Sequence, residues 1–120
     1  MSKIFISQNA KVRDQTTGAF RDKFNFSKAF EHGDKLVEIF GSGQMGLTPE
    51  ATTQHINLRL DEENFDPAQD YLIATGDMCL GIQVAVLMLQ RGGCRLLRWA
   101  NREQAYTIYK ISTGDYVNER

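Results

Sequence analysis

The clearest pattern of hydrophobic and polar positions in the chain predicts a strand, a helix and a second strand in succession. An apolar run at residues 71–75 predicts the first strand, and an almost wholly apolar run at 78–89 predicts the helix. Asp77 precedes this helix as an N-cap residue. Another apolar strand is predicted at 94–99. This order is typical of a crossover unit, in which the two strands are parallel and the connection is right-handed.

The predicted helix at 78–89 has almost no polar face, so its outer side requires a cover. Two covers are compatible with the sequence: the phenylalanine-rich connection at about 8–34, or a second copy of the chain. Gly81 lies inside this helix and costs about 1 kcal/mol relative to alanine. Its presence predicts that another backbone segment passes close to the helix.

The amino-terminal half of the chain has weaker patterns. Alternating apolar residues predict strands at 3–7 and 35–40. Between them, residues at about 8–34 form a long irregular connection, in which Ser27 is the predicted cap of a short helix that ends at Gly33.

A second main helix is predicted from Pro49 to about Leu60, with Thr48 as its N-cap. Residues 105–111 pair with the strand at 94–99 as an antiparallel hairpin, and residues at about 113–120 form a frayed tail. The sequence therefore predicts a single α/β domain over residues 1–120. We expect a small mixed sheet of about five strands, one parallel crossover, a carboxyl-terminal antiparallel hairpin and two main helices.

Composition limits the classes of partner and compartment. The 120 residues carry 14 basic and 15 acidic side chains, a net charge of -1, so no overall field attracts nucleic acid or an anionic membrane. Cys79 and Cys94 occupy apolar, regular segments and are predicted to be buried thiols in a reducing cytosol. No secretory signal and no membrane span is found, so we expect a cytoplasmic protein.

A glycine-rich segment beginning Gly41-Ser42-Gly43 and ending at Gly46 matches the G-x-G-x-x-G pattern of phosphate-binding loops. Its context differs from that of a dinucleotide site, because the next helix starts only at Pro49, after the third glycine. Two interpretations remain: a surface turn, or a loop whose amides bind phosphate.

The turn Thr75-Gly76-Asp77 lies where a parallel strand delivers its carboxyl end to a helix, which is where open α/β sheets bind ligands. The carboxylate of Asp77 satisfies the helix amides itself and repels a phosphate. Asp77 is therefore interpreted as a structural cap, and ligand binding by the turn is the alternative.

The carboxyl-terminal hairpin mixes cations with aromatic rings, which is the combination that base stacking and phosphate contact require. Strand alternation divides its cations between the two faces of the hairpin. A solvated edge hairpin whose charges discourage aggregation is therefore the alternative to a nucleic-acid or partner surface. The candidate residues are Arg95, Arg98, Trp99, Arg102, Tyr106, Tyr109 and Lys110.

No set of residues has the spacing of a catalytic or metal centre. His32 and His55 have no Cys, Asp or Glu at metal-ligand spacing, and the serines lack a nucleophile-elbow context. No catalytic residue, metal or cofactor is predicted, so we expect the protein to act by binding instead of turnover.

Several segments of the chain are distinctive: Lys3-Ile4-Phe5-Ile6, residues 24–29 followed by His32-Gly33, Leu47-Thr48-Pro49, residues 70–77 and Leu97-Arg98-Trp99. Together they resemble a group of small hypothetical proteins carried by tailed bacteriophages. Such proteins tend to have proline after the Gly-Asp pair, where this chain has Met78. The resemblance implies a viral origin, a location in the host cytoplasm and an early accessory role, and it transfers no catalytic residue.

The predicted function is thus a non-enzymatic phage-type accessory protein that binds and regulates or inhibits a host or phage protein, with a homodimer also possible. One alternative is a nucleic-acid-binding module that uses the hairpin. The other is nucleotide or phosphate binding at the Thr75-Gly76-Asp77 turn. No membrane partner is expected.

Overall fold

The computed structural model of the chain describes residues 2–9, 11–22, 25–41 and 48–112. In chain order its elements are β1 (Lys3–Gln8), β2 (Lys11–Arg13), β3 (Phe20–Asp22), a 3-10 helix (Ser27–Glu31), β4 (Lys35–Phe40), α1 (Pro49–Glu62), β5 (Tyr71–Ile73), α2 (Met78–Gln90), β6 (Cys94–Ala100) and β7 (Ala105–Ile111). The predicted strands and both main helices are therefore present, with ends that differ by one or two residues.

Five of these strands form one mixed sheet in the order β4-β1-β5-β6-β7. The first four are mutually parallel, and β7 is antiparallel to β6. This confirms the predicted small mixed α/β fold and its carboxyl-terminal hairpin. Parallel connections are more numerous than the single crossover that was predicted, because β1 lies between β4 and β5 and is parallel to both.

Both faces of β1 are buried, as its central position requires. Phe5 points into the core on one face, where α1 and α2 pack, and Ile4 and Ile6 point into a second core on the other face. The α1 contribution to the first core is Ile56 and Leu60, four residues apart, both fully buried. Thr48 caps α1 as predicted, since its hydroxyl accepts a hydrogen bond from the Ala51 amide at 3.1 Å.

The 3-10 helix lies on the second face of the sheet. Ala29 of this helix and Phe26, which precedes it, pack on Ile4, Ile6 and Tyr71. The prediction that Ser27 caps this helix is wrong. Ser27 is its first residue, and the Ser27 amide donates instead to the side chain of Asn25 at 2.9 Å. The segment predicted as an irregular connection also contains the antiparallel pair β2 and β3.

Helix α2 follows the predicted bounds closely, but the phenylalanine-rich connection does not cover it. In the described part of that connection, Phe26 and Ala29 pack on the opposite face of the sheet, and Met78, Ile82 and Val86 of α2 remain exposed. The physical reason is that the 3-10 helix and α2 bury their apolar residues against opposite sides of the same strands. Cover by a second copy stays a prediction.

Three further predictions concern single residues or segments. A Cβ at Gly81 would lie 3.2 Å from the Cβ of Ala74, so a neighbouring segment does pass close to α2. Cys94 is buried as predicted, but the prediction for Cys79 is wrong, because it lies on the outer side of the first turn of α2 and is exposed. The predicted tail at 113–120 lies outside the described residues.

Neither of the two α-helices in the described part of the chain is long and apolar enough to traverse a lipid bilayer.

Candidate functional site

The turn Thr75-Gly76-Asp77 lies at the point where the strand order reverses. After β1 the chain continues to β4 on one side of β1, and after β5 it continues to β6 on the other side. The connections that follow β1 and β5 therefore run in opposite directions along the sheet. Open α/β sheets bind ligands at such a switch point. Sequence alone placed the turn after a strand, and the structure places it at this reversal.

Side chains of β1 already use the polar groups of this turn. The Ser7 hydroxyl donates to the Thr75 carbonyl at 2.8 Å and accepts from the Thr75 amide at 2.9 Å. The Thr75 hydroxyl donates to the Gln8 carbonyl at 2.8 Å. The Asp77 amide donates to Gln8 Oε1 at 2.8 Å. These bonds lock the ends of β1 and β5 together.

Gly76 and Asp77 have structural roles in the same turn. Gly76 has a φ of +80°, and a Cβ there would lie 2.5 Å from Gln8 Oε1, so only glycine fits. Asp77 caps α2 as predicted, because its Oδ1 accepts from the Cys79 amide at 2.7 Å. Ligand binding by Thr75, Gly76 and Asp77 stays a prediction.

Of the predicted phosphate loop, only Gly41 belongs to the described residues, directly after β4. Ser42, Gly43 and the rest of the motif lie outside them.

The candidate residues of the hairpin divide between two faces, as strand alternation predicts. Trp99 and Tyr106 form a cross-strand pair on the face of the 3-10 helix, with ring centroids 5.1 Å apart in an edge-to-face arrangement. Arg98 lies on the other face, 6.0 Å from the ring of Tyr109. The candidate cations and rings are therefore divided between the two faces.

Arg95 is held by the protein itself. Its guanidinium lies 4.2 Å from the centre of the Tyr71 ring and donates to the Gln69 carbonyl at 2.7 Å. Arg102 and Lys110 are exposed. The hairpin as a nucleic-acid or partner surface stays a prediction, with Arg95 already engaged.

On the Trp99 face, the carboxyl ends of β5 and β6 border a cleft of about 780 Å³. We call it the Trp99 cleft. Its lining includes Asn25, Ser27 and Lys28 from one side and Thr75, Trp99 and Tyr106 from the other. The volume is within the range of small-molecule sites. Thr75 and the hairpin aromatics, predicted as parts of two separate sites, thus border one cavity.

On the opposite face, α2 and the hairpin border a groove of about 560 Å³. We call it the α2–β7 groove. Its helix side is formed by Met78, Ile82 and Val86, at intervals of four residues, and its sheet side by Leu96 and Ile111. The sequence contained the signal for this groove, an all-apolar helix next to an edge hairpin, but not its position.

The cleft and the groove share a wall. Ala74, Thr75 and Leu96 line both cavities from opposite sides.

Two titratable groups of the hairpin have raised pKa values, and both histidines contact main-chain carbonyls. Burial raises the pKa of Cys94 to about 11 and raises the pKa of Tyr106. His32 and His55 each place Nε2 within hydrogen-bond distance of a carbonyl, those of Tyr106 and Ile39 respectively. Across the described ranges, no three His, Cys, Asp or Glu side chains gather in a metal-binding group.

Comparison with curated proteins and with solved structures finds no match. A family model described as Phage Pam3 gp32-like protein matches residues 2–113, which is nearly the whole chain and includes every described element. The predicted resemblance to a phage protein family is confirmed: the chain belongs to the Phage Pam3 gp32-like protein family.

Proposed function

We propose that this phage protein is a non-enzymatic accessory protein that binds a phage or host protein through the α2–β7 groove. The observation that carries the proposal is the exposed apolar stripe of α2. Met78 is 77% exposed and Ile82 is 57% exposed, although both side chains are apolar and their exposure to water is unfavourable. An apolar stripe of this kind beside a groove marks an interaction surface in soluble proteins.

The groove has the shape of a helix-binding site. In the described structure α1 and α2 lie side by side over β4, β1, β5 and β6, and the hairpin strand β7 has no helix over that face. The next position in this layer is bordered by α2 on one side and by Leu96 and Ile111 below. Neighbouring helices pack about 8–10 Å apart. An amphipathic helix of the partner fits this position and replaces the missing member of the layer.

Charge near the groove indicates the polarity of the partner. The α2 sequence from Met78 to Gln90 contains no ionisable group other than the thiol of Cys79. Among the described residues that line the groove, the one charged side chain is that of Asp77, which caps α2. We therefore expect the bound helix to have an apolar stripe and no acidic residue near Asp77.

The test is affinity capture with matched surface variants. Ile82→Asp places a charge in the groove, and Leu58→Asp places the same charge on α1, where the leucine is 56% exposed. Tagged wild-type protein and both variants are expressed during infection, captured after nuclease treatment and compared by quantitative mass spectrometry. A phage or host protein retained by wild type and Leu58→Asp, and reduced at least tenfold by Ile82→Asp, is the expected result.

Sedimentation of the purified chain distinguishes the partner from a second copy. We expect a monomer at micromolar concentration, with the groove reserved for another protein. A wild-type dimer that Ile82→Asp converts to a monomer would assign the groove to self-association. Equal capture by all three proteins would remove the groove from the function.

A further inference from the structure

We propose that the Trp99 cleft binds a nucleotide, with the base stacked on the indole of Trp99 and the phosphate near Lys28. This site lies on the face of the sheet opposite to the α2–β7 groove and does not depend on the proposed function.

Trp99 supplies the stacking surface. Its side chain is 42% exposed, although the ring is oriented by an edge-to-face contact with Tyr106 at 5.1 Å between centroids. A ring that is fixed on one side and open on the other is suited to stacking, and every nucleobase has a π-face that such a ring accepts. The contribution of one such stack is about 1–3 kcal/mol.

Polar groups border the same cleft in the arrangement that a nucleotide needs. Asn25 and Ser27 provide an amide and a hydroxyl, and Lys28 provides a cation. Among the described residues, Lys28 forms an ion pair with Glu31, which is exposed to solvent and has a long N–O distance of 3.7 Å. An exposed pair of this kind is weak and is readily exchanged for a phosphate. Tyr106 keeps its proton at neutral pH, because burial raises the pKa of its phenol.

The position of the cleft fits the general behaviour of the fold. It lies at the carboxyl ends of two parallel strands, β5 and β6, where open α/β sheets bind their ligands. Ile73 and Leu97 form its apolar floor. Mostly apolar walls with a few convergent polar groups are typical of small-molecule sites, and a volume of about 780 Å³ accommodates a nucleotide.

A free nucleotide and an unpaired base of single-stranded nucleic acid offer the same chemistry. The experiment therefore has both as separate arms. Trp99 is the one tryptophan of the chain, so its fluorescence reports stacking without interference. Titrations use the four ribonucleoside monophosphates, the corresponding nucleosides and octanucleotides of each base, with calorimetry as a second readout. We expect quenching and measurable heat below 1 mM ligand with at least one base.

Variants assign the binding to the cleft. Trp99→Leu is expected to weaken binding at least tenfold by calorimetry, and Trp99→Phe, which retains an aromatic ring, by less. Lys28→Gln changes an exposed side chain and is expected to weaken the nucleotide several-fold while leaving the nucleoside unchanged. Tyr109→Leu, on the opposite face of the hairpin, is the matched control and is expected to bind as wild type.

Octanucleotides that bind at least tenfold more tightly than the monophosphates would identify single strands as the source of the base. Two results would overturn the proposal: no quenching and no heat with any of these ligands up to 1 mM, or the same affinity in Trp99→Leu and Tyr109→Leu.

Discussion

At the scale of single residues, a few buried side chains hold β1 and β5 together through specific hydrogen bonds. Asp70 is 1% exposed, and it accepts from the Lys3 amide at 2.8 Å and from the Asp66 amide at 2.7 Å. The nearby Lys3 ammonium, 3.2 Å from Oδ2, compensates its charge. The sequence indicated Asp77 as a cap, because caps are local. It gave no sign of the bond between Asp70 and Lys3, which are 67 positions apart.

Replacing Gly76 by alanine is expected to destabilise the protein by about 2 kcal/mol or more. The positive φ costs about 1–2 kcal/mol for an L-residue, and the new methyl group displaces Gln8 from the Asp77 amide. Urea unfolding measures the change. Gly93→Ala is the control, since a Cβ there meets Pro67 at 3.7 Å, an ordinary contact. Equal stability of the two variants would contradict this account of the turn.

Stability is expected to fall between about pH 9 and 11, partly through Cys94. Burial raises its pKa from 9.0 to about 11, so the thiol ionises in the unfolded chain before it can ionise in the folded one. The protonated thiol stabilises the fold below pH 9, and about 2 kcal/mol of this is lost by pH 11. Unfolding of wild type and Cys94→Ala across this range isolates the effect, because Tyr106 is common to both. A difference between them that does not change with pH would refute it.

At the scale of elements, local patterns predicted where helices and strands begin and end, but not which side of α2 faces the core. The bounds of β4 and β7 were predicted without error, and α1 and α2 within two residues, because capping residues and glycines mark their ends. In α2 nearly every residue is apolar, so no polar stripe identified the outer side. Val84 is fully buried and Val86 is 45% exposed, although they are chemically identical and two positions apart.

These two valines give a direct test of the orientation of α2. Val84→Asp places a carboxylate in the core without a partner and is expected to unfold the protein or cost more than about 4 kcal/mol. Val86→Asp is expected to change the free energy of unfolding by less than about 1 kcal/mol. Circular dichroism with urea titration measures both. Comparable losses in the two variants would mean that a partner or a second copy covers Val86 in solution.

At the scale of the whole molecule, the order of the strands in the sheet could not be predicted from the sequence. The predicted crossover at 71–99 is present, but the insertion of β1 between β4 and β5 depends on contacts between residues more than thirty positions apart. Likewise, the two candidate cavities assemble residues from three or more elements each. Such contacts join residues far apart in the sequence, and local periodicity does not encode them.

The two thiols are expected to report local and global exposure separately. Cys79 is exposed and reacts with a thiol reagent at once at pH 8. Cys94 lies between α2 and the sheet and is 2% exposed, so it reacts only when the core opens. Reaction with Ellman's reagent should show one fast thiol per chain and one at the rate of unfolding, which urea accelerates. Two fast thiols would indicate that the core around β6 opens locally.

Ala74, Thr75 and Leu96 separate the Trp99 cleft from the α2–β7 groove by the thickness of one sheet. Ligands in the cleft and in the groove would contact the same three side chains, so we expect binding on one side to change the affinity on the other side. Thermodynamics requires this dependence to be equal in both directions. If the nucleotide weakens binding of the helix, the helix must weaken binding of the nucleotide by the same factor. The nucleotide and the partner protein would then compete across the sheet without contacting each other.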